Sequence, residues 1–366
     1  MVEGLRPSYD LIVVGAGPAG STAAREAAQR GLKVLLIDRR QRIGIPVQCA
    51  ELVSQWICRH APFDSRAIVQ SIEAMGIHLP DGTTFRMKSP GYMLDRSLFD
   101  EDLATSAVLA GAELSVGMKA LDSSSEGVLI QRGSRKEWIR SKVIIGADGV
   151  HSSIAQSIHP SPTKELRALQ YEVVLFEPQS HADLYFHPDY EGGYAWFFPK
   201  GKTANAGIGV IPSKTSLLPE LLDHFLNHLK DSGKLPRIEI VSKTGGSIPC
   251  EPRKQTVSGN ILLSGDAAGH AHPITGAGIF NAVMSGSIAG RIAAEAIIRE
   301  DLGHLSRYET EWREVFGNSL QYGFSRRNFL EENWNRRDFD FNELIRKTWV
   351  GFKEYHEKRK PLESKS

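Results

Sequence analysis

The stretch YDLIVVGAGPAG, Tyr9 to Gly20, decides how the rest of the chain is read. Tyr9–Val14 is a short apolar run of the kind carried by a parallel strand buried on both faces. It leads into Gly15-Ala16-Gly17-Pro18-Ala19-Gly20, then into the helix formers of Ser21–Arg30, which Gly31 is placed to end. Lys33–Ile37 reads as a second strand, closed by Asp38. Strand, glycine turn, helix, strand and acidic residue together make a dinucleotide-binding unit. Gly15 permits the tight turn, Gly17 lets a pyrophosphate approach the backbone, and Gly20 lets the helix lie close on the strand. Ala19 sits within the turn, where the unpaired N–H groups of the helix start favour phosphate. Asp38 is placed to accept hydrogen bonds from an adenosine ribose. Arg39 and Arg40 read as solvated charges.

Composition narrows the class. A chain of 366 residues exceeds one small core and implies about two domains. Its hydrophobic content of 41% and charged content of 24% are those of a globular protein. A net charge of +1 gives no reason to expect nucleic acid as a partner. Cys49, Cys58 and Cys250 are the three cysteines, which excludes a disulfide framework and fits a reducing compartment. MVEGLRPSYD has no signal-peptide design, so a cytoplasmic location is expected. The most apolar long stretch, Ile274–Ile298, is rich in Gly, Ala and Ser and carries Asn281, Arg291 and Glu295. It reads as a closely packed helix of a water-soluble protein rather than a membrane span.

Two later segments separate FAD from NAD. Lys142–Gly149 (KVIIGADG) is a buried strand ending in Asp148-Gly149, with Ser152 and Ser153 starting a helix. Asn260–Gly269 (NILLSGDAAG) is another, ending in Asp266, and the turn Gly276-Ala277-Gly278 then opens a long helix at Ile279. That helix start would favour the negative charge of a reduced flavin. The order G-x-G-x-x-G, D-G, G-D-A-A-G, T-G-A-G resembles the flavoprotein group that includes p-hydroxybenzoate hydroxylase. The resemblance implies FAD as cofactor, with Asp148, Gly149, Asp266, Gly276, Gly278 and Ile279 around it. It also implies a cofactor contact from Arg96, at the head of a helix, and from the backbone of Ala120 beside the adenine.

Two further motifs narrow the branch. Pro46-Val47-Gln48-Cys49-Ala50-Glu51 and Tyr194-Ala195-Trp196-Phe197-Phe198-Pro199 together resemble the geranylgeranyl reductase family over residues 9 to about 300. The chain departs from it in Ala50-Glu51-Leu52, where many members keep a glycine-rich continuation. The resemblance implies saturation of isoprenoid double bonds by hydride from N5 of reduced FAD, with Cys49 and Ala50 near the flavin. An unactivated alkene offers no carbonyl to polarise, so catalysis must come from positioning, exclusion of water and a nearby acid. Cys49 is the candidate, either as proton donor or as a thiol packed on the ring. The enzyme alternative is a flavin-dependent monooxygenase or halogenase acting on a small aromatic substrate. A quinone-linked electron-transfer flavoprotein and a non-catalytic flavin-holding lipid carrier are the remaining readings. The electron donor, NADPH, ferredoxin or a quinol, leaves no second nucleotide fingerprint.

The expected fold is α/β with an α+β insert. A Rossmann-like FAD-binding domain (1–65, 92–165 and 255–300) carries an antiparallel-sheet substrate domain (66–91 and 166–254). A C-terminal helical segment (301–366) follows. Ile68–Met87 reads as a hairpin turning at Asp81-Gly82, and Leu218, Leu222, Phe225 and Leu229 as one helical stripe. Tyr194, Trp196 and Phe198 alternate along a strand, so they share one face and are expected to line the cavity of an isoprenoid or prenyl-lipid substrate. Pro199 is expected to stop the ladder. His270 and His272 form an H-x-H without further identifiable ligands, so no metal is expected. From Ser325 onward 11 Lys/Arg stand against 8 Asp/Glu, a net of +3, among interleaved aromatics. The favoured reading is a helical cap with a basic tail, Lys358-Arg359-Lys360. A peripheral membrane-docking surface is the alternative.

Overall fold

A computed structural model describes residues 5–158 and 163–357. Its first strands in chain order are Ser8–Val14 (β1), Val34–Asp38 (β2), Leu52–Ser54 (β3), Ile68–His78 (β4), Thr84–Leu94 (β5) and Glu113–Val116 (β6). Lys119–Ser124 (β7), Gly127–Arg132 (β8), Arg135–Gly146 (β9), Glu165–Val174 (β10) and His181–Tyr185 (β11) follow. The last are Tyr194–Lys200 (β12), Thr203–Val210 (β13), Ile240–Pro249 (β14), Val257–Ser258 (β15) and Ile261–Leu263 (β16). Two sheets result. One runs β15-β16-β9-β1-β2-β6, with β8 and then β7 folded off β9; the other runs β14-β10-β13-β12-β11-β4-β5-β3.

The first sheet is parallel from β16 through β6. Alternate residues of β1 enter different cores, as a doubly covered strand requires. Leu11 and Val13 pack beneath the Pro18–Ala28 and Ile279–Ile298 helices, whereas Ile12 and Val14 face the opposite layer. The small residues of the Ile279–Ile298 helix have a clear purpose: a Cβ at Gly286 would stand 2.2 Å from the Ala19 carbonyl oxygen. That close approach seats the helix on the dinucleotide unit.

The second sheet is antiparallel except between β4 and β11, which run parallel because they come from separate passes of the chain. β3, which follows the Cys49 loop, joins its edge through β5. The β4–β5 hairpin turns at Asp81, whose carboxylate accepts from the Thr83 N–H. On β12, Ala195 and Phe197 pack with Leu222, Phe225 and Leu229 of the Leu218–Asp231 helix. Tyr194, Trp196 and Phe198 face the other way, into a cluster with Trp349 and Phe352. Pro199 does not stop the strand, which pairs with β13 as far as Lys200–Thr203. β11 pairs only with Ala195–Phe197. Pro199 thus lies beyond the residues paired with β11, where a proline without an N–H is tolerated.

The C-terminal aromatics are a cap. Trp334, Trp349, Phe352 and Tyr355 are buried, and Phe329, Phe339 and Phe341 pack against them. Arg327, itself buried, ties this cap to the sheet: Nε donates to the Pro273 carbonyl, Nη1 to the Gly192 carbonyl and Nη2 to Cys250 Sγ. These rings are thus largely taken up by packing. Lys358-Arg359-Lys360 lie outside the described residues. Among the described residues no helix is long and apolar enough to cross a membrane.

Candidate active site

One cavity of about 1340 Å³ runs between the two sheets. That exceeds the roughly 300–1,000 Å³ of an ordinary small-molecule pocket, leaving room for a dinucleotide and a second ligand. Gly15, Gly17, Ala19, Asp38, Cys49, Ala50, Arg96, Ala120, Asp148, Gly149, Asp266, Gly276, Gly278 and Ile279 all border it, as do Tyr194, Trp196 and Phe198. Gly20 does not. A Cβ there would lie 1.8 Å from the Gly15 carbonyl oxygen, so its smallness serves helix packing.

The front end fits a dinucleotide. A Cβ at Gly17 would meet nothing within 4 Å, so the open space above the turn is where a phosphate would lie. Gly17 and Gly278 begin their helices without a side-chain cap, so both present free N–H groups to the cavity. Asp38 accepts from the Ala16 and Arg40 N–H groups, each at 2.8 Å, and keeps lone pairs for a ribose. Arg40 is not merely a solvated charge, because its guanidinium donates to Gln48, which in turn donates to the Gly245 carbonyl. The Asp148 carboxylate accepts from Ser152 and Ser153, fixing the start of the Ser153–Ile158 helix.

Two carboxyl groups here are pushed up by burial, Asp148 and Asp266. The Asp266 carboxyl is eased only by the charge of Arg96 and accepts no hydrogen bond from another described residue. An acceptor left open beside a dinucleotide cradle suits a ligand hydroxyl or N–H. Arg96 heads its helix and forms a two-pronged pair with Asp100, both bonds at 2.9 Å. It therefore serves as both the ion pair and the cavity wall.

The middle of the cavity is where the two sheets meet. Cys49 Sγ accepts from the Glu51 N–H at 3.2 Å, and burial pushes the thiol up against the opposing pull of Arg96. Such a thiol stays protonated at neutral pH. Trp196 Nε1 donates to Gln170 Oε1 at 2.8 Å, and Gln170 Nε2 donates to the Cys49 carbonyl at 3.2 Å. The aromatic wall and the cysteine loop are thereby joined. Tyr194 donates from its hydroxyl to the Thr275 carbonyl, while its ring meets Trp196 at 6.0 Å and Trp349 at 5.0 Å between centroids.

Sequence reasoning missed Glu51, Gln170, Lys200 and Asn205 as a set. Glu51 is only 2% exposed, and its carboxylate accepts from Lys200 Nζ at 2.6 Å, Asn205 Nδ2 at 2.9 Å and the Arg96 N–H at 3.0 Å. The available signal was a lone acid beside Cys49 and a lone amide in the apolar run LRALQYEVV. His272 borders the cavity with Nδ1 accepting from the Ile274 and Thr275 N–H groups, and burial lowers it to about 4. His270 is fully buried against Trp312 and Phe316, and the described residues show no group of three or more metal-ligating side chains.

A dinucleotide cradle opening onto an aromatic chamber, with a protonated thiol at the junction, defines a flavin-dependent oxidoreductase. The chain matches the family described as NAD(P)-binding Rossmann-like domain over residues 13–63. It matches geranylgeranyl reductase catalytic domain over residues 167–248. It is 37% identical to digeranylgeranylglycerophospholipid reductase 2 of Methanococcoides burtonii, across 93% of this chain and 91% of that one. Against the digeranylgeranylglycerophospholipid reductase of Methanosarcina acetivorans the identity is 35%, with 93% and 88% covered. A solved geranylgeranyl bacteriochlorophyll reductase-like protein of Thermoplasma acidophilum superposes with a TM-score of 0.82 at 28% identity, covering 93% of this chain and 96% of that one. The chain belongs to the geranylgeranyl reductase family. The myxobacterial chondrochloren halogenase shares the fold alone, with a TM-score of 0.73 at 18% identity over 96% and 91% of the two chains.

Proposed function

We propose that this chain holds FAD and saturates carbon–carbon double bonds in the geranylgeranyl chains of a glycerophospholipid. The observation that carries this reading is the continuity of one cavity from the Gly17 turn to the Tyr194–Trp196–Phe198 wall, with Cys49 between. The relatives named for such lipids support the substrate class. FAD, when bound, supplies a hydride to one alkene carbon. Gly15, Gly17 and the start of the Pro18–Ala28 helix hold its pyrophosphate, Asp38 its ribose, and Asp266 and the Gly276–Ile279 turn the flavin end.

The chain's own residues do the rest. The aromatic wall orients the prenyl chain and keeps water out. Cys49 holds the proton needed at the second alkene carbon, kept on sulfur by burial. An external donor, whether NADPH, ferredoxin or a quinol, supplies the electrons. Lipid enters at the rim formed by Ser54–Trp56 and Lys88–Pro90, where Trp56 is 50% exposed beneath the Arg59 guanidinium. An aromatic ring and cations at a lipid portal suit transient contact with an anionic membrane surface.

The test is anaerobic. The flavin-loaded protein is reduced chemically, a geranylgeranyl phospholipid is added, and flavin reoxidation is followed with product mass. Reoxidation with a gain of two hydrogens per saturated bond is the expected result. A flavin that stays reduced with prenyl lipids, yet reoxidises with oxygen to give a hydroxylated or halogenated product, overturns it in favour of the oxygenase reading.

A further inference from the structure

Glu51 occupies a position that a glutamate enters only at a cost. Its φ of +68° lies in the left-handed region, which among the described residues only Glu300 shares outside glycine. Its carboxylate is buried, and a buried charge is weak as a stabilising device even when paired. Two unfavourable features at one residue need a compensating role, and the contacts indicate it. The Glu51 N–H donates to Cys49 Sγ, so sulfur acts there as acceptor and its own proton remains free for the cavity. The carboxylate then fixes that N–H in space through Lys200 at the end of the aromatic strand, Asn205 on β13 and the Arg96 N–H. Asn205 also donates to the Ala50 carbonyl, and Gln170 to the Cys49 carbonyl. Residues 49, 50 and 51 are thus each gripped by a side chain of the substrate sheet.

We propose that Glu51 and Gln170 are positioning residues for Cys49, holding its thiol at a fixed place relative to the Trp196 wall. This rests on the reading of Cys49 as proton donor. The charged groups around the thiol are Arg96 and Asp100 on the Arg96–Leu109 helix, Glu51 on its own loop and Lys200 behind it, with Asp266 facing Arg96. Replacing Glu51 by Gln removes a negative charge near sulfur and leaves the Lys200 ammonium with only the more weakly coupled Glu172 and Asp95, both of which changes favour the thiolate.

The experiment follows iodoacetamide labelling of Cys49 by peptide mass against pH in flavin-loaded parent, Glu51→Gln and Gln170→Met proteins. The same variants are measured for kcat and KM. Glu51→Gln is expected to label several-fold faster at pH 8, to move the alkaline limb of the kcat profile to lower pH, and to lower kcat by roughly ten- to a hundred-fold with KM little changed. Labelling and kcat profiles that superpose on the parent overturn the proposal for Glu51. If Glu51→Gln does not fold, Gln170→Met decides: it touches no charge, and a fall in kcat at constant KM with altered Cys49 labelling supports positioning, whereas parental values overturn it. Labelling needs no substrate, so it still decides the role of these residues if the parent reduces no prenyl lipid and the reductase reading itself fails.

Discussion

The hydroxyl of Tyr194 donates to the carbonyl oxygen of Thr275 at 2.6 Å, joining the first residue of the aromatic strand to the loop that opens the Ile279–Ile298 helix. The aromatic wall and the proposed flavin end of the cradle are therefore joined by one hydrogen bond. Tyr194→Phe keeps the ring and removes only this tie, so a loss of about 1 kcal/mol is expected. That corresponds to about a fivefold weaker FAD affinity if the whole effect falls on the loop. Titration calorimetry with FAD checks it, and an affinity equal to the parent's would show that the loop holds itself.

Trp196 is the wall residue with the most to lose. It packs in the cluster with Trp349 and Phe352 and donates its indole N–H to Gln170. Trp196→Ala should cost about 3–5 kcal/mol of stability through the cavity it opens. Trp196→Phe preserves most of the apolar contact but orphans Gln170 Oε1, for about 1–3 kcal/mol. Urea midpoints of the two variants should therefore fall in that order, with the KM for lipid rising most in the alanine variant.

What could be read from the sequence, and what could not, follows the range of the interactions. The glycine turn, Asp38 and the alternation of Tyr194, Trp196 and Phe198 are local patterns, set by the two- and 3.6-residue periods of strand and helix. The clamp on Cys49 is not local: Glu51 and Lys200 stand 149 residues apart and meet only because β3 joins the second sheet. No spacing rule reports such a pair. Pro199 misled for a related reason, since its tolerance depends on the pairing with β11 stopping at Phe197.

Asp266 separates binding from stability. Its carboxyl is pushed up by burial and lacks a hydrogen bond from other described residues, so the free protein bears an unfavourable group there. Asp266→Ala should leave the flavin-free protein as stable or more so, while weakening FAD by at least about tenfold through loss of a charge-assisted contact of about 1.5–3 kcal/mol. Flavin release by ultrafiltration and thermal unfolding without flavin measure the two effects. Equal loss in both would mean that Asp266 is structural.

The final expectation concerns acid. His270 is fully buried against the stacked rings of Trp312 and Phe316, neither ring nitrogen has a hydrogen-bond partner among the described residues, and burial lowers it from 6.5 to about 3, with Arg313 adding to the shift. A base with a depressed folded value binds fewer protons than the unfolded chain between about pH 6.5 and 3. Its stability contribution is therefore complete above 6.5 and is lost as pH falls through that window. By pH 5 the loss from His270 alone is about 2 kcal/mol, and His272, lowered to about 4, adds in the same direction. Asp148 and Asp266, both raised, act oppositely at the acid end of the window. His270→Phe fits the same aromatic cluster and cannot titrate, so its unfolding free energy should decline less steeply between pH 6.5 and 4.5. Urea denaturation at closely spaced pH values gives both slopes, and parallel slopes for parent and variant would place the acid sensitivity elsewhere.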